Sequence, residues 1–130
     1  MQTTVKNTQR YNIVSAIFAF CLWGGWSFYV NSQSTDWHTG VISGLAQGIC
    51  SFIITLCMTF LIEKQFNFYQ DKLAKSILPP LLTVILTGSC LFMIHYLIAT
   101  PNIIKTISPA LTVALLFAFF TNFKLYQQSK

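Results

Sequence analysis

Four apolar stretches of about 20 residues each, parted by short polar segments, decide what this chain can fold into. A helix of that length crosses the roughly 30 Å hydrocarbon layer of a bilayer. Inside lipid every backbone N–H and C=O must be paired within its own segment or around a closed barrel. None of the stretches shows the strict in–out alternation of barrel strands, so helices are the remaining solution. The expected spans are residues 11–30, 41–62, 79–98 and 101–126. The fold class is therefore all-α, a polytopic membrane protein forming one four-transmembrane-helix bundle over residues 1–130. Composition agrees: only 8% of the residues are charged, against roughly 25% in soluble domains. That is too few to coat a water-soluble globule.

A net charge of +5 raises the question of nucleic acid. The basic residues stand at span ends, however, and form no patch with interleaved polar and aromatic residues, so no nucleic-acid partner is implied. They serve as topology signals instead. Lys6, Arg10, Lys64, Lys72, Lys75, Lys124 and Lys130 fall on one side of the membrane and Lys105 alone on the other. By the positive-inside rule both termini are expected in the cytoplasm. A cationic start before an apolar run could also be a signal peptide, but this run continues through Trp26, Phe28 and Tyr29, too long and bulky for one. Trp23, Trp26 and Tyr29, with Trp37 just beyond, are expected at the headgroup level of the outer surface. Gly24 and Gly25 between them allow a bend or a close helix contact. Cys21, Cys50, Cys57 and Cys90 all lie within spans and form no CxxC, so they are read as small buried apolar residues.

The second span carries the strongest packing pattern. Gly40, Gly44 and Gly48 recur every four residues, and beside them run Ser43, Gln47, Ser51, Thr55 and Thr59. Rows of small residues let helices approach closely in lipid. The helix-packing face is therefore Gly40, Gly44, Gly48, Ser43 and Ser51, turned either to the rest of the bundle or to a second molecule. Gln47 lies about two turns inside the outer surface, where a primary amide needs a partner. It either makes an interhelical hydrogen bond or lines a cavity for a ligand or lipid headgroup.

In the loop 63–78, Phe66, Tyr69, Leu73 and Ile77 share one helical face and Lys64, Asn67, Asp71 and Lys75 the other. This predicts a short amphipathic helix in the interface, with Lys64, Lys72 and Lys75 facing anionic lipid. Pro79 and Pro80 are placed in the first turn of the third span, where a missing N–H is harmless. Pro109 either kinks a fourth span that starts at Pro101, or begins a shorter crossing capped by Ser108. The continuous, kinked helix is preferred.

Asp36, His38 and His95 are expected near the outer surface, with Lys105 close in depth. Together with Gln47 they are the candidates for an outward-facing polar pocket. A fixed metal site wants three or four converging ligands, which an Asp-x-His pair does not supply, so neither metal nor cofactor is implied. No span holds a carboxylate, no nucleophile stands beside a base at telling spacing, and no phosphate-cradling loop occurs. No catalytic residue is assigned, and the protein is read as a non-enzyme.

Size and layout are similar to the small multidrug resistance transporters, but that family depends on a membrane-embedded glutamate in its first span, and residues 11–30 contain no acid. The run Trp23-Gly24-Gly25-Trp26-Ser27-Phe28-Tyr29-Val30-Asn31, with Gln47-Gly48, Ser51-Phe52 and Thr55-Leu56-Cys57-Met58-Thr59, resembles a group of small bacterial four-span proteins without an assigned activity. The resemblance covers about the first half of the chain and implies a bacterial inner membrane. The expected function is an accessory or interaction protein that assembles through its second span with itself, a partner membrane protein or membrane lipid. The competing readings are a small transporter or lipid-handling protein with an outward-facing polar pocket, and an immunity-type protein against a pore-forming toxin.

Overall fold

A computed structural model describes residues 9–34 and 36–129, with side chains described for 12–33 and 36–129. Each apolar stretch is one helix: α1 (Gln9–Ser34), α2 (Trp37–Phe68), α3 (Lys72–Leu97) and α4 (Ile103–Gln128). All four are long and apolar enough to cross a bilayer, and no strand occurs among the described residues. The chain is a multi-pass membrane protein built as an all-α bundle. At about 1.5 Å per residue, the 32 residues of α2 reach well beyond the roughly 30 Å of hydrocarbon.

Successive helices reverse direction through short connections. The α2–α3 turn therefore shares one end of the bundle, here called the terminal end, with the start of α1 and the end of α4, and the α1–α2 and α3–α4 connections share the other, here called the far end. Lys64, Lys72, Lys75 and Lys124 stand at the terminal end and Lys105 at the far end. Lys6 and Lys130 lie outside the described residues, as does the side chain of Arg10.

The amphipathic interfacial helix does not form as a separate element. Residues 63–68 prolong α2, residues 72–78 belong to α3, and only 69–71 turn. Nothing in Glu63–Phe68 breaks a helix, and Phe66, fully buried, anchors the extension against Met58, Ile62, Ala118 and Leu125. Tyr126 meets the Phe66 ring edge-on, with centroids 6.4 Å apart. Leu73, meant to share a face with Phe66, is exposed. Asp71 starts α3 by accepting from the Ala74 N–H at 3.0 Å, so Pro79 and Pro80 fall in the helix interior rather than its first turn.

Interior prolines strip donors from the carbonyls four residues back, and here other helices supply them. Pro79 and Pro80 deprive the Lys75 and Ser76 carbonyls; Asn122 Nδ2 of α4 donates to both, at 2.8 and 3.2 Å. α4 runs without interruption from Ile103 with Pro109 inside it, so the Lys105 carbonyl is deprived as well. Trp26 Nε1 of α1 donates to that oxygen at 3.1 Å. In lipid, where water cannot stand in, these side chains are what let α3 and α4 carry prolines. Trp26 is thus a half-buried tie between helices. Trp23 turns into the bundle, and only Tyr29 and Trp37 of the four expected belt aromatics are well exposed.

α2 touches all three other helices, whereas α1 and α3 make no close approach among the described residues. The tightest contact is α1 on α2. A methyl placed on Gly24 would lie 3.1 Å from the Gly44 carbonyl oxygen and 3.3 Å from Gly48 Cα; one on Gly44 would lie 3.0 Å from the Gly24 oxygen. One on Gly48 would lie 3.2 Å from the Phe20 oxygen, and Gly40 packs against Ser32 and Phe28. At Gly24, Gly44 and Gly48 a backbone oxygen is the nearest neighbour, and a backbone atom cannot swing aside as a side chain can. The glycine row is consumed inside the molecule and offers no face to a second copy. Gly25, by contrast, has nothing near its missing side chain.

The cysteines correct another expectation. Cys21, Cys57 and Cys90 are exposed and Cys50 is half-buried. They occupy the outward side of apolar helices, where the bilayer rather than a protein core receives them.

Candidate functional site

Two polar clusters and one cavity are candidates. The first cluster hangs on His95, fully buried near the far end of α3. Its Nε2 lies 2.6 Å from Gln47 Oε1 and its Nδ1 2.7 Å from Thr100 Oγ1. An amide oxygen only accepts, so Nε2 carries the proton and Nδ1 accepts from the Thr100 hydroxyl. Ser43 Oγ stands 3.3 Å from Thr100 Oγ1 and completes a chain of four side chains on α2, α3 and the connection between α3 and α4. Gln47 Nε2 is buried and has no partner. Local backbone geometry sets Thr100 in place. α3 ends in a Schellman motif, with Thr100 N–H on the His95 oxygen at 3.0 Å and Ala99 N–H on the Tyr96 oxygen at 3.2 Å. Ala99 takes the left-handed position at φ 57°, where glycine is usual.

The second cluster ties α1 to α4. Asn31 Nδ2 donates to the Ser27 carbonyl at 2.8 Å and to Thr106 Oγ1 at 2.9 Å, while Asn31 Oδ1 accepts from the Asn102 N–H at 3.2 Å. Thr106 in turn donates to the Asn102 carbonyl at 2.6 Å. With the Trp26 bond, this forms a latch between α1 and α4 at the far end. Neither Asn31 nor Thr106 is among the site residues expected from the sequence. A buried amide one turn before a span end was the available signal.

The expected polar pocket is not assembled from its five candidates. Gln47 and His95 meet, but in a buried chain with Thr100 and Ser43 rather than in an open pocket. Asp36 is exposed and caps α2, accepting from the Thr39 N–H at 3.1 Å and the Thr39 hydroxyl at 3.0 Å. Those two bonds, in that order, and then the nearby His38 hold its carboxyl below the ordinary value. His38 is exposed and stacks on Trp37, with ring centroids 4.0 Å apart. Lys105 is exposed, and only its backbone oxygen enters the structure just described. No group of three metal-ligating side chains occurs among the described residues. The terminal-end lysines lie along aromatic rings: Lys64 Nζ is 5.4 Å from the Phe60 centroid, Lys75 Nζ 4.6 Å from Phe66 and Lys124 Nζ 5.7 Å from Phe120. Lys72 is exposed.

The cavity lies at mid-membrane depth and measures about 400 Å³. Its floor is made by buried residues of α2, α3 and α4: Ser51, Met58, Thr87, Leu91 and Ala110. Its rim is made by exposed residues of α1 and α4: Val14, Phe18, Leu22 and Val113. Trp23 and Ala114 line it from the two rim helices. None of the lining residues is ionisable. Two of its hydroxyls are used within their own helices, Thr55 on the Ser51 carbonyl at 2.7 Å and Thr87 on the Thr83 carbonyl at 2.9 Å. The space lies below the latch, between α4 and an α1 that hugs α2 through glycines.

The class these features define is a helical multi-pass membrane protein with a mid-membrane apolar cavity open toward the bilayer. No family model, curated protein or solved structure matches the chain.

Proposed function

We propose that the protein is a non-enzymatic membrane protein, placed in a bacterial inner membrane with both termini cytoplasmic, that holds a lipophilic guest from the bilayer in its mid-membrane cavity. The observation that carries this reading is the cavity itself. Its volume of about 400 Å³ falls within the roughly 300–1,000 Å³ of small-molecule sites. An unfilled void of that size would forfeit packing contacts on all its walls. The absence of any ionisable lining group selects an uncharged, apolar moiety as what enters the cavity, and the exposed rim on α1 and α4 gives it a route from the hydrocarbon layer. Of the partners expected for the second span, lipid is the one the geometry favours, because α1 covers the glycine row that a second protein would need.

Native mass spectrometry of the protein released from its own membrane tests the reading. Wild-type protein should carry one defined lipophilic adduct. Ala114→Phe, and independently Ala19→Phe from the opposite wall, should lose it while keeping the helical circular dichroism of the parent. Wild-type protein without an adduct, or an adduct that survives both fillings, would refute it.

A further inference from the structure

Resting on that reading, we infer that the guest is one acyl chain of an anionic phospholipid drawn from the leaflet at the terminal end of the bundle. The seam between α1 and α4 is asymmetric. At the far end it is closed by Trp26 on the Lys105 carbonyl and by Asn31 on Thr106 and Asn102. The cavity begins one turn below that latch, at Trp23 on α1 and Ala110 on α4, and extends toward the terminal end as far as Val14 and Phe117. A chain descending from the far leaflet would have to pass the latch. A chain rising from the terminal-end leaflet passes, among the described residues, the exposed apolar side chains of the rim, Val14, Phe18 and Val113.

Charge selects the head. Lys64, Lys72, Lys75 and Lys124 stand at the terminal end against the carboxylates of Glu63 and Asp71, and Asp71 is engaged in capping α3. Lys124 follows Phe117 by two turns on the same helix, about 10 Å along its axis at ~1.5 Å per residue. A phosphate at that depth therefore sits at the level of the lysines while its chain reaches the cavity. A neutral headgroup would forgo that attraction.

Trp23, which lines the cavity, reports occupancy directly. The protein is reconstituted into phosphatidylcholine vesicles containing a minor fraction of lipid with brominated chains, and tryptophan quenching is compared with that of Trp23→Phe to isolate the Trp23 contribution. Brominated phosphatidylglycerol should quench Trp23 more strongly than brominated phosphatidylcholine at the same fraction, and Ala114→Phe should lose the excess. Equal quenching by the two phospholipids would overturn the anionic assignment while leaving the lipophilic-guest reading in place. Quenching by a brominated free fatty acid but by neither phospholipid would likewise overturn this inference alone. Trp23 quenching that no brominated lipid makes sensitive to Ala114→Phe would overturn both.

Discussion

The side chain of Asn122 offers the sharpest test of how this bundle tolerates its prolines. Its Nδ2 is the donor for the Lys75 and Ser76 carbonyls, at 2.8 and 3.2 Å, that Pro79 and Pro80 leave without helix partners. Asn122→Leu keeps the side chain's approximate volume and removes the donor. Each buried carbonyl left bare costs about 1–3 kcal/mol. Asn122 Oδ1 is itself buried without a partner, so its removal offsets roughly one such group, leaving a net loss of about 1–3 kcal/mol. In a Pro79→Ala/Pro80→Ala background the new alanine N–H groups can serve the same carbonyls. There Asn122→Leu should cost roughly 0.5 kcal/mol or less, giving a coupling in the range of about 0.5–3 kcal/mol seen for contacting groups. The assay is reversible unfolding by dodecyl sulfate in mixed micelles, followed by circular dichroism across the four variants of the cycle. An equal cost of Asn122→Leu with and without the prolines would refute the reasoning, because the amide would then be stabilising something other than orphaned carbonyls.

Three further outcomes follow from the same structure. Gly44→Ala places a methyl 3.0 Å from the Gly24 oxygen and from Phe28 Cβ, whereas Gly25→Ala meets nothing within 4 Å. The first should lose roughly 1–2 kcal/mol in the same unfolding assay, overpacking outweighing helix propensity, and the second should gain up to about 1 kcal/mol. Gln47→Leu and His95→Leu should each destabilise by about 1–2 kcal/mol through the polar group left behind, and the double variant should cost less than the two combined. A fully additive cycle would contradict the His95–Gln47 bond. Ala99→Gly should stabilise the protein by about 1 kcal/mol, since the left-handed position at φ 57° suits glycine; a loss of stability would mean the Ala99 side chain makes contacts that outweigh its backbone cost.

The fold was legible because length and apolar content leave few choices in lipid. Four uninterrupted runs yield four helices, and the Gly40, Gly44 and Gly48 row announces a close contact. Which helix receives that row was not legible, since a glycine stripe states that something approaches without naming it. Gly24 and Gly25 on α1 allow a bend or a close contact, and only the structure decides for contact, with Gly24 against Gly44 and Gly48. The segment 63–78 misled for a different reason. Its amphipathic spacing holds across Tyr69 only if the helix continues, and Asp71 capping Ala74 ends that continuity. Gln47 was legible as a buried amide needing a partner, whereas His95, expected near the outer surface, is fully buried and is that partner. Asp36 and His38 share that end of the bundle but belong to the surface, where Asp36 is occupied as a cap. The donors to proline-deprived carbonyls come from helices distant in sequence, Trp26 for Lys105 and Asn122 for Lys75, so periodicity carries no trace of them. The cavity was least legible of all, because it is made by the contacts that α1 and α4 do not form.

The most direct test of the central claim is an experimental structure of the protein in a bilayer of its native lipids. Continuous chain-like density should enter between α1 and α4 at Val14 and Phe18, run past Ala114 and end near Trp23, with the Trp26–Lys105 and Asn31–Thr106 bonds closed above it. A seam in which α1 packs directly on α4 from Val14 to Trp23, leaving no space for a guest, would contradict it.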